Sequence, residues 1–370
     1  MSPDGLHEVT VPKLLTPANG YNYTGDIIDV YAVDGMQHAL VTTDGLYVWG
    51  YEGSMIHSDL TNGYAFQKIA LPSAINPAQI RFMSATDAGM ALVMQDGSVW
   101  MNVTGASYAS GSLSGDGTSK STSFKQVLKT DNTPLTGVVD LEMYADGVFA
   151  RTGDGKFYTW GPKVYLGDAG YSSNRTKATE MVSPLPSGVD FVQLQASGST
   201  SGTTYFVLGS DGRLYTLGAN SDGQAGQGNT TTLTSWVPVK SADGLGVLEN
   251  VAFISGQNGT RNYANASAVL GDGTLYSWGT NSSKQIGLPS GGWLPAEPSW
   301  VGEKQPVFVV ENGGHFTAVI VEGRLGEIAT VGHNPGGAFG DGTTSDKTAY
   351  ELKPFLGTEA GGLANECPVT

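Results

Sequence analysis

The stretch GDGTLYSWGTNSSKQIG, from Gly271 to Gly287, combines two sequence patterns. Its first half places Asp-Gly before an alternating apolar run, which is typical of a tight turn that leads into a β-strand. Its second half is polar and interrupted by glycine, which is typical of a loop. The first question is whether this loop binds a phosphate or a metal, or whether it belongs to the architecture of the protein.

Copies of the first half recur along the chain. They read TDGLYVWG from Thr43, QDGSVW from Gln95, GDGKFYTWG from Gly153, SDGRLYTLG from Ser210 and, less clearly, EGRLGEIATVG from Glu322. The acidic residues before glycine stand at 44, 96, 154, 211, 272 and 322, so successive copies are 50 to 61 residues apart. A sustained period of this size indicates a repeat protein, and it favours an architectural role for the opening stretch.

Each repeat predicts four short strands. Two apolar runs joined by a glycine-containing turn precede the Asp-Gly strand, and a glycine-rich loop leads from it to a fourth strand. A four-stranded sheet cannot bury both of its faces alone, whereas sheets stacked face to face around an axis bury them all. The sequence therefore predicts an all-β, closed β-propeller of six four-stranded blades, with seven blades as the alternative.

The predicted repeats divide the chain into three regions. Residues 1–26 form an N-terminal segment, whose run VTVPKLL (Val9 to Leu15) is expected to add an outer strand that closes the ring. The six blades are expected at about 27–72, 78–129, 137–184, 189–240, 247–302 and 306–357. Residues 358–370 are expected to form a flexible C-terminal tail.

Two recurring positions are expected to shape every blade. Glycine after the acidic residue can adopt positive φ in the turn; these turn residues are Gly45, Gly97, Gly155, Gly212, Gly273 and Gly323. The residue at the Trp-Gly position is expected to pack between neighbouring blades; these repeat anchors are Trp49, Trp100, Trp160, Leu217, Trp278 and Val331.

The repeat resembles that of the regulator-of-chromosome-condensation family. The resemblance is carried best by GSDGRLYTLGANSDGQAGQGN, from Gly209 to Asn229, and by the turn GGHFTAV from Gly313. It covers residues 25 to 355 approximately and implies a β-propeller, usually of seven blades in that family, whereas six repeats are visible here. The family includes a nucleotide-exchange factor, chromatin binders, an ultraviolet receptor and secreted enzyme inhibitors. This chain lacks the basic tails and the clustered Trp and Arg residues that those activities imply, so none is carried over.

Composition narrows the classes of partner. The net charge is −15 and the pI is about 4.6, so the phosphates of nucleic acids and the anionic surface of a membrane would be repelled. The single cysteine, Cys367, allows no disulfide within the chain. The sequence shows no signal peptide and no apolar run long enough to span a membrane, so we expect a soluble protein of a virion or of the cytoplasm.

No arrangement of catalytic or ligand residues stands out, so we predict a protein without enzymatic activity, cofactor or metal. His38 and His315 are interpreted as one repeat position. The loops Ser114 to Ser119, Asn220 to Gln224 and Phe339 to Asp346 lack the dense acidic spacing of calcium loops, although calcium binding by their carboxylates stays open. Asp140, Glu142 and Asp190 could meet in a central channel as the carboxylates of a glycoside hydrolase.

Aromatic residues beside the loops are the candidate partner-binding residues. Trp293, Tyr64 and Phe66 are flanked by Gly, Ser, Thr and Asn, a combination typical of binding surfaces. Our main hypothesis is a non-enzymatic binding or assembly module with protein partners, such as a decoration protein on a virion, for example of a phage, or on another large particle. The alternatives are a cytosolic regulator of a small GTPase and a propeller that hydrolyses carbohydrate or binds it weakly.

Overall fold

The described part of the chain folds into β-strands, which form six separate sheets of four. The computed structural model describes residues 22–33, 37–50, 63–86, 89–103, 113–118, 121–144, 147–165, 171–182, 185–199, 202–257, 263–324 and 327–354. The predicted outer strand at Val9 to Leu15 and the predicted tail at 358–370 lie outside these residues.

The first three blades follow the first three repeats. Blade 1 comprises β1 (Ile27–Val33), β2 (Gln37–Thr42), β3 (Gly45–Gly50) and β4 (Gly63–Ile69). Blade 2 comprises β5 (Ile80–Thr86), β6 (Gly89–Met94), β7 (Val99–Val103) and β8 (Ser121–Gln126). Blade 3 comprises β9 (Val138–Tyr144), β10 (Gly147–Thr152), β11 (Phe157–Tyr165) and β12 (Tyr171–Glu180).

The other three blades repeat this plan. Blade 4 comprises β13 (Phe191–Ser199), β14 (Gly202–Gly209), β15 (Leu214–Gly218) and β16 (Leu233–Pro238). Blade 5 comprises β17 (Val251–Gly256), β18 (Asn265–Leu270), β19 (Leu275–Gly279) and β20 (Gly292–Ala296). Blade 6 comprises β21 (Val307–Asn312), β22 (Phe316–Val321), β23 (Glu327–Gly332) and β24 (Lys347–Pro354).

Within each blade the four strands are antiparallel and lie in chain order. The first strands of successive blades contact one another from β1 to β5 and onward to β21, so they line the centre of the molecule. A register shift next to the first strand recurs in all six blades, as between Val251 and Phe253, and such bulges increase the twist of a sheet. The six-bladed, all-β propeller predicted from the repeats is confirmed.

Helical structure is minimal in the described residues. Two short 3₁₀ turns, Pro77–Gln79 and Pro335–Gly337, are the helical segments there. Among these residues no helix has the length and apolar character needed to cross a lipid bilayer.

Apolar cores fill the seams between successive blades. Val48 and Leu92 contribute to the core between blades 1 and 2, and Val103 and Trp160 to that between blades 2 and 3. Equivalent cores lie between blades 3 and 4, 4 and 5, and 5 and 6. Each of these five seams thus buries two sheet faces that could not be buried alone, which is the physical reason for the propeller.

Hydrogen bonds along the inner strands join the same neighbours. Side-chain oxygens of one blade accept from backbone N–H groups of the next: Asp29 from Met83 (3.0 Å), Ser84 from Met143 (2.9 Å), Gln193 from Ile254 (3.0 Å) and Ser255 from Asn312 (2.9 Å). These N–H groups lie near the seams, where packing of the blades removes water. The side-chain oxygens of the neighbouring blade replace water as their hydrogen-bond acceptors.

The Asp-Gly turns behave alike in five blades. Their glycines have positive φ, for example 74° at Gly97 and 81° at Gly273, and Asp272 Oδ1 accepts from the backbone of Thr274 at 2.9 Å. Gly45 differs from the prediction, because it begins β3 opposite Thr42 and its φ is not positive. The turn of blade 1 is shorter, so Thr43 and Asp44 alone connect the two strands.

Most repeat anchors lie deep in the seams. Trp160, Leu217, Trp278 and Val331 are fully buried, and Trp49 is almost so. Trp160 Nε1 donates to the carbonyl of Leu113 at 3.0 Å, and Trp278 Nε1 donates to the carbonyl of Gln224 at 2.7 Å. Both carbonyls belong to a loop of the preceding blade, so the indole ties one blade to the loop of its neighbour.

Trp100 does not occupy the anchor position. It lies opposite Leu92 and is only half-buried, whereas Asn102 lies opposite Met90, the register position that Trp49 occupies opposite His38. Trp100 therefore stands where blades 1, 3, 4 and 5 have Tyr47, Tyr158, Tyr215 and Tyr276. Trp100 as an anchor is therefore wrong: the anchor position, six residues after the acidic residue of the turn, is Asn102 in blade 2.

Candidate functional site

The two edges of the propeller differ in the connections that they carry. One edge carries the Asp-Gly turns between second and third strands. The opposite edge, here called the long-loop face, carries the connections between third and fourth strands, described at 113–118, 219–232, 280–291 and 333–346. Loops on a rigid scaffold are where binding residues concentrate, so the search for a site begins on this face.

A buried asparagine organises each of the three fully described loops. Asn220 Oδ1 accepts from Ala225 N at 2.9 Å, Asn281 Oδ1 from Ile286 N at 3.1 Å, and Asn334 Oδ1 from Phe339 N at 2.9 Å. The amide nitrogens of the same side chains donate to loop carbonyls of Asn229, Leu288 and Thr343. These backbone groups are therefore already paired within the loops, which explains the polar, glycine-rich sequence by architecture.

Carboxylates in these loops also accept hydrogen bonds that stabilise the turns. Asp116 Oδ1 accepts from Thr118 N at 2.8 Å and from Ser114 Oγ at 2.7 Å. Asp341 pairs with Lys347 at 2.7 Å and accepts from Thr343 N at 3.0 Å. Across the described ranges, no group of three or more His, Cys, Asp or Glu residues is placed to hold a metal ion.

The candidate glycoside-hydrolase carboxylates lie in two settings. Asp140 is opposite Arg151 in blade 3, and the Arg151 guanidinium stacks on the Phe191 ring of blade 4 at 3.9 Å. Burial raises the pKa of Asp140 to about 6, and the neighbouring Arg151 charge opposes this rise. Glu142 lies opposite Phe149 on the same face, while Asp190 is exposed beside the turn of blade 4, where its backbone bonds to Ser210.

The histidines fall into different environments. His38 stacks on Trp49 with ring centroids 5.1 Å apart, and burial lowers its pKa to about 4. His315 precedes β22 and packs against Tyr263 at 4.5 Å and His333 at 5.9 Å. The register position of His38 is occupied in blade 6 by Thr317, so the predicted equivalence of His38 and His315 is wrong by two residues.

The group around His315 does not form a nucleophilic relay. Ser283 Oγ lies 3.5 Å from His315 Nδ1, which is too far for a strong hydrogen bond. Asp346 contacts His333 at 2.8 Å and not His315. A base-activated serine needs the base within hydrogen-bond reach of the hydroxyl and an acid that orients the base, and this arrangement offers neither.

Trp293 is the exposed aromatic residue of this face. It lies in β20 with 53% of its surface exposed, and its carbonyl accepts from Gly228 N at 2.8 Å. A Cβ atom at Gly223 would lie 2.1 Å from its Cδ1 atom, so the ring packs directly on that glycine of the blade 4 loop. Backbone bonding and this close packing hold Trp293 in place although half of it faces solvent.

The other two candidate aromatics are placed differently. Phe66 is half-buried, with its ring 4.4 Å from Trp49 and 5.9 Å from Tyr23, so it belongs to the packing of blade 1. Tyr64 lies in β4, and its side chain is outside the described residues.

The connection between blades 4 and 5 contains an exposed leucine that was not recognised from the sequence. Leu245 is 90% exposed at the tip of a turn held by Asp243, whose Oδ1 accepts from Leu245 N at 2.9 Å and from Ser241 Oγ at 2.6 Å. Leu294 contacts the same turn at Gly244 and the blade 4 loop at Gly228. We call Trp293, Leu294, Leu245, Asp222 and Asp243 the outer patch. The Asp-Gly-Leu sequence of the turn was the available signal.

No protein-family model matches the chain. A 140-residue segment is 29% identical to the RCC2 homolog of Danio rerio, covering 36% of this chain and 26% of that protein. A 181-residue segment is 28% identical to the mitochondrial RCC1 domain-containing protein RUG3 of Arabidopsis thaliana, covering 48% of this chain and 38% of that protein. A third, of 211 residues, is 28% identical to human HERC2, an E3 ubiquitin-protein ligase, and covers 56% of this chain and 4% of that protein. The chain thus spans well under half the length of these relatives.

Solved structures share the fold across most of the chain. Human WBSCR16 superposes with a TM-score of 0.68 at 16% identity, covering 90% of this chain and 82% of that one. Prp20p of Saccharomyces cerevisiae superposes with a TM-score of 0.66 at 18% identity, covering 88% and 76%. The solved structures confirm the propeller fold, and the sequence relatives confirm the resemblance seen in the repeats: the chain is a β-propeller whose repeats are similar to those of the regulator-of-chromosome-condensation family.

Proposed function

We propose that this propeller is a non-enzymatic protein-binding module and that a partner protein docks on the outer patch. The observation that carries the proposal is Trp293, a half-exposed tryptophan held rigidly against Gly223. Rigid, exposed aromatic residues are the side chains that most often dominate binding energy at protein interfaces.

The exposed apolar area of Trp293 is large enough to contribute to the affinity for a partner protein. A tryptophan has up to about 250 Å² to bury, so covering the exposed half of Trp293 would contribute roughly 3 kcal/mol. Leu294, the next residue of β20, contacts the turn at Gly244, and the exposed Leu245 follows Gly244 in that turn. A patch of this kind provides the centre of an interface and needs a polar rim around it.

Charge indicates the kind of partner. Two of the five residues of the patch, Asp222 and Asp243, are acidic, and the whole chain carries a net charge of −15. Hydrogen bonds from Ser241 and Leu245 lower the pKa of Asp243, so this carboxylate stays ionised at neutral pH. A partner with a basic surface would be attracted, and salt would slow its association by screening.

The test compares three forms of the full-length protein in affinity purification from the source extract, with quantitative mass spectrometry. We expect Trp293→Ala to lose a partner that the wild type retains, and Val182→Ser, which changes an exposed residue of blade 3, to retain it. Calorimetry with the purified partner should show at least a tenfold loss for Trp293→Ala. Identical partner sets and affinities for all three forms would refute the outer patch as a docking surface.

Decoration of a virion or other large particle is a narrower form of this proposal. It rests only on the low charged fraction of 14% and the polar loops. Co-sedimentation of the protein with a large particle in the source extract would support it, and recovery solely in the low-molecular-weight fraction would contradict it.

A regulator of a small GTPase is the second candidate. Its support is the fold shared with Prp20p, whose crystal structure was described together with binding to Gsp1p and histones. The test is the release of a fluorescent nucleotide from a panel of purified small GTPases. Acceleration by catalytic amounts of the protein would support the candidate, and unchanged release across the panel would remove it.

A further inference from the structure

A cavity opens at the edge of the propeller that carries the Asp-Gly turns. Its volume is about 490 Å³, and it lies between the turn that joins β2 to β3 in blade 1 and the connection 70–79, which leads from β4 to β5. A volume of this size is within the range of sites that bind small molecules. The cavity is separate from the outer patch, which lies in blades 4 and 5. We call it the blade 1 cavity.

The connection 70–79 forms one wall of the cavity. The connections after blades 2 and 4 each close on themselves through an isolated β-bridge. The connection 70–79 has a 3₁₀ turn instead, Pro77–Gln79, which is capped by the side chain of Asn76. Ile75 N also donates to the Pro72 carbonyl at 2.9 Å. These hydrogen bonds hold the wall in shape, as is usual for pre-formed binding sites.

The floor of the cavity is apolar. Ile69, at the end of β4, and Ile75 are at most 4% exposed, and both belong to the apolar core between blades 1 and 2. Leu71 is half-buried and packs against the same core. Because the core anchors these side chains, they form a fixed apolar surface, to which Leu71 contributes the most accessible part.

Two exposed groups of opposite charge, Asp44 and Lys68, also line the cavity. A Cβ atom at Gly45 would lie 2.5 Å from Lys68 Cε, so the lysine stem lies across this glycine, and Lys68 Nζ is 5.7 Å from the centre of the Tyr47 ring. This close approach explains a glycine at a position where φ is not positive. Within the described ranges, neither Asp44 nor Lys68 has an ion-pair partner.

The charge of Lys68 departs from the plan of another blade. Lys68 lies opposite Tyr47 in blade 1, whereas Glu180 lies opposite Tyr158 at the corresponding place in blade 3. Glu180 is paired with Lys156 at 3.3 Å. Blade 1 therefore carries a cation where blade 3 carries an acid that already has its partner.

From this geometry we propose that the blade 1 cavity binds a short peptide with free termini and aliphatic side chains, such as a dipeptide. Lys68 pairs with the carboxylate of the peptide, Asp44 pairs with its amino terminus, and Leu71 contacts its side chains. Two extended residues span up to about 7 Å, which suits two protein charges that do not pair with each other. Such a ligand has no net charge, so the net charge of −15 on the chain does not repel it as it would an anion.

The test is calorimetric titration of the full-length protein with leucyl-leucine, up to about 10 mM, with an expected dissociation constant of about 1 mM or lower. Leucyl-leucine amide lacks the carboxylate and N-acetyl-leucyl-leucine lacks the amino terminus, so each should bind about tenfold more weakly. Lys68→Gln and Asp44→Asn should each weaken leucyl-leucine to a similar extent. The matched control, Lys125→Gln, changes an exposed lysine of β8 and should bind like the wild type.

The variants also separate a lost contact from a damaged fold. Lys68→Gln should bind leucyl-leucine and its amide equally, because the carboxylate has lost its partner, and Asp44→Asn should bind leucyl-leucine and its N-acetyl form equally. Trp293→Ala should leave dipeptide binding unchanged, and a loss there would place the ligand on the outer patch. Absence of leucyl-leucine binding to the wild type, or equal wild-type affinity for leucyl-leucine and either blocked form, would overturn the proposal.

Discussion

At the residue scale, one loop position shows how a neighbour decides between glycine and another residue. Gly223 in the blade 4 loop has φ of 74°, and Lys284 at the equivalent place in blade 5 has φ of 64°. Gly223 has no space for a Cβ because Trp293 packs on it. Lys284 has a Cβ and carries the strain of the left-handed conformation.

Exchanging glycine and lysine at these two positions is predicted to change the free energy of unfolding in opposite directions. Lys284→Gly relieves the left-handed strain, against the entropy that glycine loses on folding, and should raise the free energy of unfolding by about 0.5–1 kcal/mol. Gly223→Lys should lower it and displace Trp293. Urea denaturation of both variants measures the changes, and equal effects at the two positions would contradict the role given to Trp293.

Asp140 gives a pH prediction. Burial raises the folded-state pKa of Asp140 to about 6, above the ordinary value of 3.8. A raised carboxyl pKa means that the folded state prefers the protonated form, so this contribution to stability is complete below about pH 4 and is lost as the pH rises through about 6. Relative to Asp140→Asn, the wild type should lose about 2 kcal/mol over this range.

The measurement is the free energy of unfolding of the wild type and of Asp140→Asn at several pH values between 4 and 7. The comparison cancels the titration of the other carboxylates, while Arg151, which faces Asp140, stays charged throughout. A difference between the two proteins that does not change with pH would show that Asp140 titrates normally.

At the element scale, loops and strands of adjacent blades are joined by the anchor residues. The indole N–H of Trp278 in β19 donates to the carbonyl of Gln224 in the blade 4 loop. Trp278→Phe removes this donor and part of the buried ring, and it should lower the free energy of unfolding by about 2–4 kcal/mol. Trp293→Phe is the exposed control, with an expected change below about 0.5 kcal/mol.

Hydrogen exchange separates the two consequences of Trp278→Phe. We expect faster exchange in the blade 4 loop as well as in β19, because the hydrogen bond links them. Faster exchange in β19 alone would mean that the tryptophan serves only as packing within its own blade.

The β-strands were largely predictable from the sequence, whereas the equivalence of individual positions between blades was less so. Asp-Gly turns and apolar alternation predicted four strands in each repeat, since turn chemistry and a two-residue period are local properties. Gly45 was misplaced because the turn of blade 1 is one residue shorter than the others, and Trp100 because it stands at the position where four other blades have tyrosine.

The candidate site was predicted in part for the same reason. Trp293 could be recognised as a loop aromatic, but Phe66 carries the same local signal and packs on Trp49. Only the three-dimensional arrangement distinguishes them. Leu245 was missed because its exposure depends on the Asp243 turn holding it outward.

At the scale of the whole molecule, six sheets stack, and described apolar cores fill the five seams from blade 1 to blade 6. The hydrophobic effect drives the stacking because each sheet has two partly apolar faces. The sequence predicted the number of blades from the number of repeats. It did not predict that Ile320 and Val30 are exposed, because the apolar alternation of their strands is the same as in the other blades.

An experimentally determined structure at a resolution that shows side chains tests the central claim most directly. We expect six four-stranded blades, with Trp160 and Trp278 buried in the seams and their indole nitrogens bonded to the carbonyls of Leu113 and Gln224. An open sandwich of sheets, a different number of blades from these six repeats, or either tryptophan facing solvent would contradict it.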